Sequence, residues 1–369
     1  MIENRWIKPT RLDGIWVRPY ALPMRRSWQT ARGCFQRRRG WLVRAAGEGE
    51  NGYGDCAPLT AAGTEDLQSA ESALLDVQAR APGQRVHDLM QTLDDRLAAT
   101  PAVRFAVECA LLDLQSKCQG IPLRILLASD VPDVVPVNGN LGPLGSLTAG
   151  DLSRSAEAGF HILKVKLGLE EPRLEVERLV RLVPSLPPNT SLRLDANGAW
   201  SDEDAGMVVD RLSGLPIESL EEPLRAPEPA SLRALQRRAN FPLALDESLG
   251  SWSDRIDLGG LGVRRIVIKP AVTGGLLRAL DLSARAAAEG LEVVVTSIVE
   301  SAAGLWPTAQ LAAATRSRIP HGLSTADWLA DDLGTPPRPL RGCLCLPDRP
   351  GSGFLHRPDQ SVAPPPPSE

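Results

Sequence analysis

The chain has 369 residues, a formal net charge of −4 and a pI near 5.8. This length exceeds one small core, so we expect two structural units of unequal size. Hydrophobic residues make up 43% and charged residues 23%, a balance typical of globular proteins rather than disordered or membrane proteins. The acidic charge offers no basic surface for nucleic acid, so we expect a small-molecule partner.

The sequence also argues against a membrane or secreted protein. No apolar run approaches the roughly 18–20 residues that a bilayer span requires, and the polar start MIENRWIKPT lacks the apolar core of a signal peptide. We therefore expect a cytoplasmic location and no membrane partner. The six cysteines show no CxxC pair and no histidine spacing that suits zinc, and the expected cytoplasmic location argues against disulfides. We interpret Cys343 and Cys345 as alternating residues of a strand.

The N-terminal part has the pattern of a compact α+β unit, which we assign to residues 1–130. Short β-like runs alternate with glycine-rich turns from Leu12 to about Pro58. Two helices are predicted next, one beginning near Gly63 with acids in its opening turn and one from about Thr100 to Gly120. Strands followed by helices favour a separate layered unit.

Beyond this unit, apolar strands alternate with amphipathic helices. The strand candidates are VVPVN at 134, ILKVKL at 162, SLRLD at 191, IESLEEP at 217, LALDES at 243, RIVIKP at 265, VVVTS at 293 and RIPHGLST at 318. Eight strands with this spacing favour a βα barrel over residues 131–330. A doubly wound sheet is the alternative, but no GxGxxG follows the first strand. We expect residues 331–358 to pack back on the N-terminal unit and residues 359–369 to form a proline-rich disordered tail.

Ionisable residues interrupt the apolar strands in a regular order: Lys164, Lys166, Asp195, Glu221, Asp246 and Lys269. From Lys166 onward the spacings are 29, 26, 25 and 23 residues, which is one group per βα unit. The C-terminal ends of barrel strands meet at one rim, so we expect these groups to converge there. The two residues of the KxK motif lie on the same side of a strand, so both lysines should face the barrel interior.

The charges of this set predict a metal site. Buried ammonium groups cost several kcal/mol each unless carboxylates, a bound anion or a lowered pKa compensates. Three carboxylates at one rim repel each other unless a cation joins them, and their hard oxygens suit Mg²⁺ or Mn²⁺. Each strand-end acid taken alone is better explained as a cap or turn residue. The regular order of the whole set favours a functional site.

The motifs that carry these residues resemble the enolase superfamily, specifically its muconate lactonising subgroup, which has lysines on both faces of the site. They are KVK at 164–166, LDANGAW at 194–200, EEP at 221–223, DES at 246–248 and IKP at 268–270. Within the subgroup the chain is most similar to the o-succinylbenzoate synthase family. Further matches are GYGDCAPL at 52–59, GTE at 63–65, KPAVTGG at 269–275, SIVES at 297–301 and HGLST at 321–325. The resemblance spans roughly residues 12–330.

The resemblance implies an α/β fold, a modified TIM barrel of the (β/α)7β type with an N-terminal α+β capping domain. It implies Mg²⁺, with Mn²⁺ as an alternative, bound by Asp195, Glu221 and Asp246. Glu221 is preferred to Glu222 because the family ligand precedes proline by two residues.

It also implies a role for each lysine. Lys166 would be the base that removes a proton next to the carboxylate of a small-molecule substrate. Lys164 would help to hold that carboxylate or the resulting enediolate, and Lys269, on the opposite face, would stabilise the anion.

Further residues are expected to contact the substrate. The candidates are Asn197, Ser297, Gly322 and Ser324. The resemblance implies that Arg37 to Arg39 lie in a capping loop that closes over the substrate, while their charge alone favours a solvated loop. None of the four histidines occupies the strand position of Lys269, so the His-Asp dyad of the mandelate racemase type is absent.

The implied activity is the dehydration of 2-succinyl-6-hydroxy-2,4-cyclohexadiene-1-carboxylate to 2-succinylbenzoate, in menaquinone or phylloquinone biosynthesis. N-acylamino acid racemase and dipeptide epimerase activities of the same superfamily are the alternatives. A dipeptide epimerase is expected to carry an Asp-x-Asp pair after the strand near Val293, and VVVTSIVES has none. An inert metal-binding scaffold predicts the loss of a ligand or a lysine, and none is lost. The sequence leaves a homo-oligomer open.

Overall fold

The computed structural model describes residues 9–30, 33–252 and 257–357. The strands in these ranges are β1 (Gly14–Thr30), β2 (Gly33–Gly47), β3 (Glu50–Cys56), β4 (Val134–Pro136), β5 (Gly139–Pro143), β6 (Ile162–Lys166), β7 (Ser191–Asp195), β8 (Ile217–Glu221), β9 (Leu243–Leu245), β10 (Arg265–Ile268), β11 (Glu292–Val295) and β12 (Cys343–Cys345). The helices are α1 (Leu67–Arg80), α2 (Val86–Arg96), α3 (Pro101–Gln119), α4 (Leu123–Leu127), α5 (Ala149–Glu157), α6 (Pro172–Leu182), α7 (Asp202–Leu212), α8 (Pro229–Arg238), α9 (Leu249–Trp252), α10 (Pro270–Thr273), α11 (Leu276–Ala288) and α12 (Ala302–Ala314).

The N-terminal cap is an antiparallel sheet in the order β1-β2-β3, with α3 packed against it. The approach is closest at Gly52 and Gly54, where an added Cβ would stand 2.0 Å from the carbonyl oxygens of Ala110 and Ala106. A larger residue at either position would push the helix away from the sheet, so glycine is required there. This close packing buries every residue of α3 from Ala102 to Ser116.

The predicted helix boundaries in the cap need correction. The first helix begins at Leu67 rather than near Gly63, because Asp66 caps it by accepting a hydrogen bond of 2.7 Å from Ser69 N. Glu65 does not belong to that first turn. Its carboxylate instead accepts from the N–H groups of Ala102 and Val103, at the start of α3. Helix α2 is a further element that the sequence pattern did not indicate.

Strands β5 to β11 form one parallel sheet in chain order, and the sheet curls into a barrel. A short segment joins its two edges, since Val137 pairs with His321 and Thr296 pairs with Gly322. The N–H of Gly322 donates to Val295 O at 2.9 Å within this closure. The seven strands are each followed by helical structure and the closing segment supplies the eighth position. The predicted (β/α)7β fold with an N-terminal cap is confirmed.

One of the eight predicted barrel strands is placed wrongly, and another lies at its predicted position without forming a regular strand. The apolar run at 134 forms β4, which pairs antiparallel with β12 outside the barrel. The first barrel strand is instead β5, whose sequence GNLGP has little β propensity and is held by pairing with β6. The run RIPHGLST at 318 forms isolated bridges rather than a regular strand.

The barrel interior is layered beneath its polar rim. Ala244, Val267 and Val294 form a buried apolar layer. Nearer the strand starts, Glu218 pairs with Arg193 at 3.0 Å and with Arg265 at 2.6 Å. Burial alone raises the pKa of Glu218, but the two guanidinium groups outweigh it and lower the pKa to about 2. This end of the barrel is therefore closed by a satisfied ion network.

The residues after the barrel return to the cap. Ser352 N donates to Asp113 of α3 at 2.6 Å, and Arg124 pairs with Asp348 at 3.0 Å. The CxC motif forms β12 as alternating strand residues with free thiols, which confirms that interpretation. The predicted proline-rich tail at 359–369 lies outside the described residues. None of the described helices has the length and apolarity that a membrane span would need.

Candidate active site

The structure brings the predicted ionisable residues together at one rim of the barrel. Lys166, Asp195 and Glu221 are the last residues of β6, β7 and β8, and they lie side by side in the parallel register. Asp246 follows β9 and Lys269 follows β10. Each consecutive strand therefore delivers one ionisable group to the same rim.

Lys164 lies two residues before the end of β6, and its ammonium group sits between two carboxylates. Its Nζ is 2.8 Å from both carboxylate oxygens of Glu221 and 2.9 Å from Asp195 Oδ2. Burial alone lowers the pKa of Lys164, but Asp195 and Glu221 outweigh it and raise the pKa well above its usual value. The two carboxylates therefore favour the protonated ammonium form of Lys164.

Lys269 faces Lys164 and Lys166 from the far side of the rim. Its Nζ is 2.5 Å from Asp246 Oδ2 and 3.6 Å from Glu247 Oε1. Burial lowers the pKa of Lys269, and the two carboxylates more than reverse this and raise it above its usual value. Glu247 is a rim residue that the sequence analysis missed, although its place beside Asp246 in the DES motif was an available signal.

Lys166 has a different environment from the other two lysines. Its Nζ is 2.8 Å from the neutral amide oxygen of Asn197 and 4.0 Å from Asp195 Oδ2. Asn197 in turn donates to Glu247 at 3.1 Å, which links the two sides of the rim. The Lys166 side chain is 29% exposed, against 17% for Lys164 and 15% for Lys269. It is the most accessible of the three ammonium groups.

Glu222 does a structural job beside Glu221. It adopts a left-handed conformation with φ 46°, and its carboxylate accepts from the N–H groups of Asp246 and Ser248 at 3.0 Å each. Burial raises the pKa of Glu222 to about 7. Its side chain fixes the turn that presents Asp246, whereas Glu221 faces Lys164.

The other candidates for substrate contact, apart from Asn197, lie where the barrel closes. Ser297 Oγ is 2.7 Å from Thr325 Oγ1, and Ser324 Oγ donates to Asn138 O at 2.6 Å. Gly322 pairs with Thr296, and an added Cβ would stand 2.4 Å from that side chain. The hydrogen bonds described for these residues stay within the closing segment and its neighbours rather than reaching the lysines.

The prediction that Arg37 to Arg39 lie in a capping loop is wrong. All three belong to β2, where they pair with β1. Strand alternation turns only Arg38 inward: it is 4% exposed, while its two neighbours are exposed. The charge of three consecutive arginines favoured a solvated loop. Charge alone does not show that they form a strand or which of them faces the core.

A cleft of about 740 Å³ opens beside the Lys269 side of the rim. Helices α2 and α3 of the cap line one side, and α10 and α11 of the barrel line the other. Asp246, Glu247 and Lys269 are part of its wall. This volume is in the range that accommodates small-molecule ligands.

The acids of the rim fit a divalent cation by their chemistry. Asp195, Glu221 and Asp246 are 2%, 2% and 7% exposed, and they supply hard oxygens from three neighbouring strands. Among the described residues, no three His, Cys, Asp or Glu side chains are grouped closely enough to hold a metal ion as they stand. Lys164 lies between two of the acids, and Lys269 pairs with the third.

Comparison with known proteins assigns the family. Residues 148–360 match the family described as "Enolase C-terminal domain-like", and residues 15–114 match the MenC N-terminal domain. The chain belongs to the enolase superfamily. The first match covers the barrel from α5 onward, with its rim of acids and lysines, and the second covers most of the cap.

Relatives of this chain have different activities at similar levels of sequence identity. The chain is 32% identical to the o-succinylbenzoate synthase of Pectobacterium atrosepticum, covering 84% of this chain and 89% of that one. It is 29% identical to the L-amino acid-D/L-Glu epimerase of Francisella philomiragia, with coverages of 77% and 82%. The dipeptide epimerase of Methylococcus capsulatus, solved with Mg and the dipeptide L-Arg-D-Lys, superposes with a TM-score of 0.84 at 26% identity, covering 94% of this chain and all of that one. Overall similarity therefore does not select one activity.

Proposed function

We propose that this chain is an o-succinylbenzoate synthase. In this proposal it removes water from 2-succinyl-6-hydroxy-2,4-cyclohexadiene-1-carboxylate to give 2-succinylbenzoate, in menaquinone or phylloquinone biosynthesis. The match of residues 15–114 to the MenC N-terminal domain and the synthase relatives support this assignment.

The three lysines have different proposed roles because their surroundings differ. Lys166, accessible and bonded to a neutral amide, is proposed to take the proton next to the substrate carboxylate. Lys164 and Lys269 are held as cations by buried carboxylates, so they suit the stabilisation of negative charge on the enediolate. Collapse of the enediolate then breaks the bond to the β-hydroxyl, which takes up the abstracted proton and leaves as one water, and the ring becomes aromatic.

The acids of the rim are proposed to hold Mg²⁺, with Mn²⁺ as the alternative. Asp195, Glu221 and Asp246 would be its protein ligands, and the bound ion would add positive charge opposite the substrate carboxylate. Asn197 is proposed to orient Lys166, because its amide oxygen accepts from Nζ while its NH₂ group is fixed by Glu247.

The turn after β11 supports a synthase rather than a dipeptide epimerase. A dipeptide epimerase is expected to carry an Asp-x-Asp pair near this position to hold the substrate ammonium group. Residues 296–301 are all described, and their one acid, Glu300, is 2% exposed with its carboxylate bonded to Ile298 N. Since Glu300 is buried rather than open to the rim, this turn favours a substrate without an ammonium group.

The test is a parallel assay of the purified chain with MgCl₂ on three substrates. Loss of the diene absorbance reports dehydration, while α-deuterium incorporation in D₂O reports turnover of N-succinylated amino acids and dipeptides. We expect the highest kcat/KM for dehydration. Lys166→Arg should abolish it, because arginine keeps the charge but cannot accept a proton at neutral pH. Exchange on a dipeptide or an acylamino acid without dehydration would replace the proposal by an epimerase or racemase activity.

A further inference from the structure

Two buried cap residues hold the turn at residues 297–301, which carries Ser297. Arg38 of β2 donates from Nε to Val299 O at 3.1 Å. Asp55 of β3 accepts from Ser301 N at 2.6 Å, and Tyr20 donates to the same carboxylate at 2.6 Å. Arg38 is 4% exposed and Asp55 is fully buried. The cap therefore contacts the backbone at the middle and at the end of this barrel turn.

The backbone of this turn is in a conformation that its sequence disfavours. Val299 has φ 64°, in the left-handed region where a β-branched residue is rarely found. Its N–H donates to Ser297 Oγ at 3.3 Å, so the conformation at 299 and the position of the Ser297 hydroxyl are linked. A strained turn of this kind persists only where its surroundings impose it.

Arg38 imposes this conformation through a fork of hydrogen bonds. Besides Val299 O, its guanidinium donates to Pro58 O at 2.7 Å and to Ala57 O. Among the described residues no carboxylate forms an ion pair with it, and all three of its acceptors are backbone carbonyls. A planar guanidinium can join the 57–58 turn of the cap to the 299 carbonyl, whereas a lysine ammonium cannot reproduce that geometry.

We propose that Arg38 is a positioning residue for substrate binding, acting through the Val299 carbonyl to hold the hydroxyl of Ser297, which follows strand β11. This inference rests on the proposed function and on the expectation from the sequence that Ser297 contacts the substrate. Asp55 fixes the other end of the same turn, at the start of α12. In this role Arg38 acts through the turn and does not itself contact the substrate.

The experiment compares Arg38→Ala and Arg38→Lys with Arg39→Ala, a neighbour on the exposed side of the same strand. On the diene substrate with MgCl₂, both Arg38 variants should raise KM about tenfold or more while kcat changes less than about threefold. Added guanidinium at low millimolar concentration should lower the KM of Arg38→Ala, and methylammonium should not. Arg39→Ala should behave as the wild type. An unchanged KM in both Arg38 variants overturns the inference.

A second readout separates this inference from the proposed function. Hydrogen–deuterium exchange, followed by mass spectrometry of the peptide containing residues 297–301, needs no substrate. We expect faster exchange of this peptide in Arg38→Lys than in Arg39→Ala, with other barrel peptides unchanged. If the wild type has no synthase activity, the proposed function fails, while this readout still tests whether Arg38 holds the turn. Equal exchange in the two variants overturns the inference. Arg38→Lys keeps the buried charge and is the variant to use if Arg38→Ala does not fold.

Discussion

Replacing Lys164 with methionine removes the cation that lies between Asp195 and Glu221. Lys164 Nζ is 2.8 Å from Glu221 and 2.9 Å from Asp195, and both carboxylates are nearly inaccessible to water. Two unit charges about 4 Å apart at an effective dielectric constant near 20 attract by about 4 kcal/mol. Removing one partner of a buried pair typically costs about 3–5 kcal/mol. We therefore expect Lys164→Met to lose about that much free energy of unfolding in the absence of divalent cations.

Magnesium should reverse part of this loss if the rim acids bind it. Ligand binding to the folded state adds about 2.7 kcal/mol at a ligand concentration 100 times Kd. The variant should gain more than the wild type, because the ammonium group that competes for the oxygens of Asp195 and Glu221 is gone. Urea unfolding followed by circular dichroism, in EDTA and in MgCl₂, measures both quantities.

Lys117→Met is the matched control for this experiment. Lys117 pairs with Asp113 at 2.8 Å and has the same exposure as Lys164, 17%, with an equally buried partner. This pair lies in α3, away from the rim, so its loss should destabilise the chain without any response to Mg²⁺. Equal stability of Lys164→Met and the wild type in EDTA, or equal Mg²⁺ responses of the two lysine variants, would refute the reasoning.

Three further predictions concern stability. Burial raises the pKa of Glu300 to about 7 from the ordinary 4.5. The buried carboxylate therefore lowers the free energy of unfolding as pH rises from about 4.5 to 7. Glu300→Gln should flatten this pH dependence by up to about 3 kcal/mol, and an unchanged slope would contradict the prediction. Arg104→Met leaves the buried Glu108 without this ion-pair partner and should cost about 3–5 kcal/mol in urea unfolding. Adding Glu108→Gln should restore part of this loss, and additive losses of the two substitutions would contradict the prediction. Gly275→Ala places a Cβ 2.4 Å from Arg104 and should cost about 1–3 kcal/mol more than Gly290→Ala, where no atom lies within 4 Å; equal losses would rule out the clash.

The barrel strands that carry the site could be predicted from sequence because each is an apolar run with one ionisable group at its end. Lys166, Asp195 and Glu221 end β6, β7 and β8 in register, which follows from parallel pairing. The first barrel strand could not be predicted in the same way, and the last barrel position, predicted from RIPHGLST, forms only isolated bridges. GNLGP becomes β5 and HG at 321–322 closes the barrel through pairing with neighbours, and neither has a strand-like composition.

The contacts between cap and barrel were beyond the reach of sequence patterns. Arg38 is one of three adjacent arginines, and its burial depends on which face of β2 meets the barrel. Glu65 carries a helix-start signal, yet its carboxylate caps α3 rather than the helix beside it. Glu222 resembles Glu221 in the sequence, and only the turn geometry shows that it fixes the backbone at Asp246. Each of these roles arises from tertiary partners distant in sequence.

In the proposed function, the rim of acids and lysines removes an α-proton and eliminates water in a Mg²⁺-dependent reaction. The most direct measurement follows the diene absorbance of 2-succinyl-6-hydroxy-2,4-cyclohexadiene-1-carboxylate with enzyme stripped by EDTA, then after addition of MgCl₂, for the wild type and Lys166→Ala. We predict no turnover in EDTA, rapid loss of absorbance after Mg²⁺ is added to the wild type, and none with the variant. Turnover in EDTA, full activity of Lys166→Ala, or no dehydration by the wild type would contradict the account.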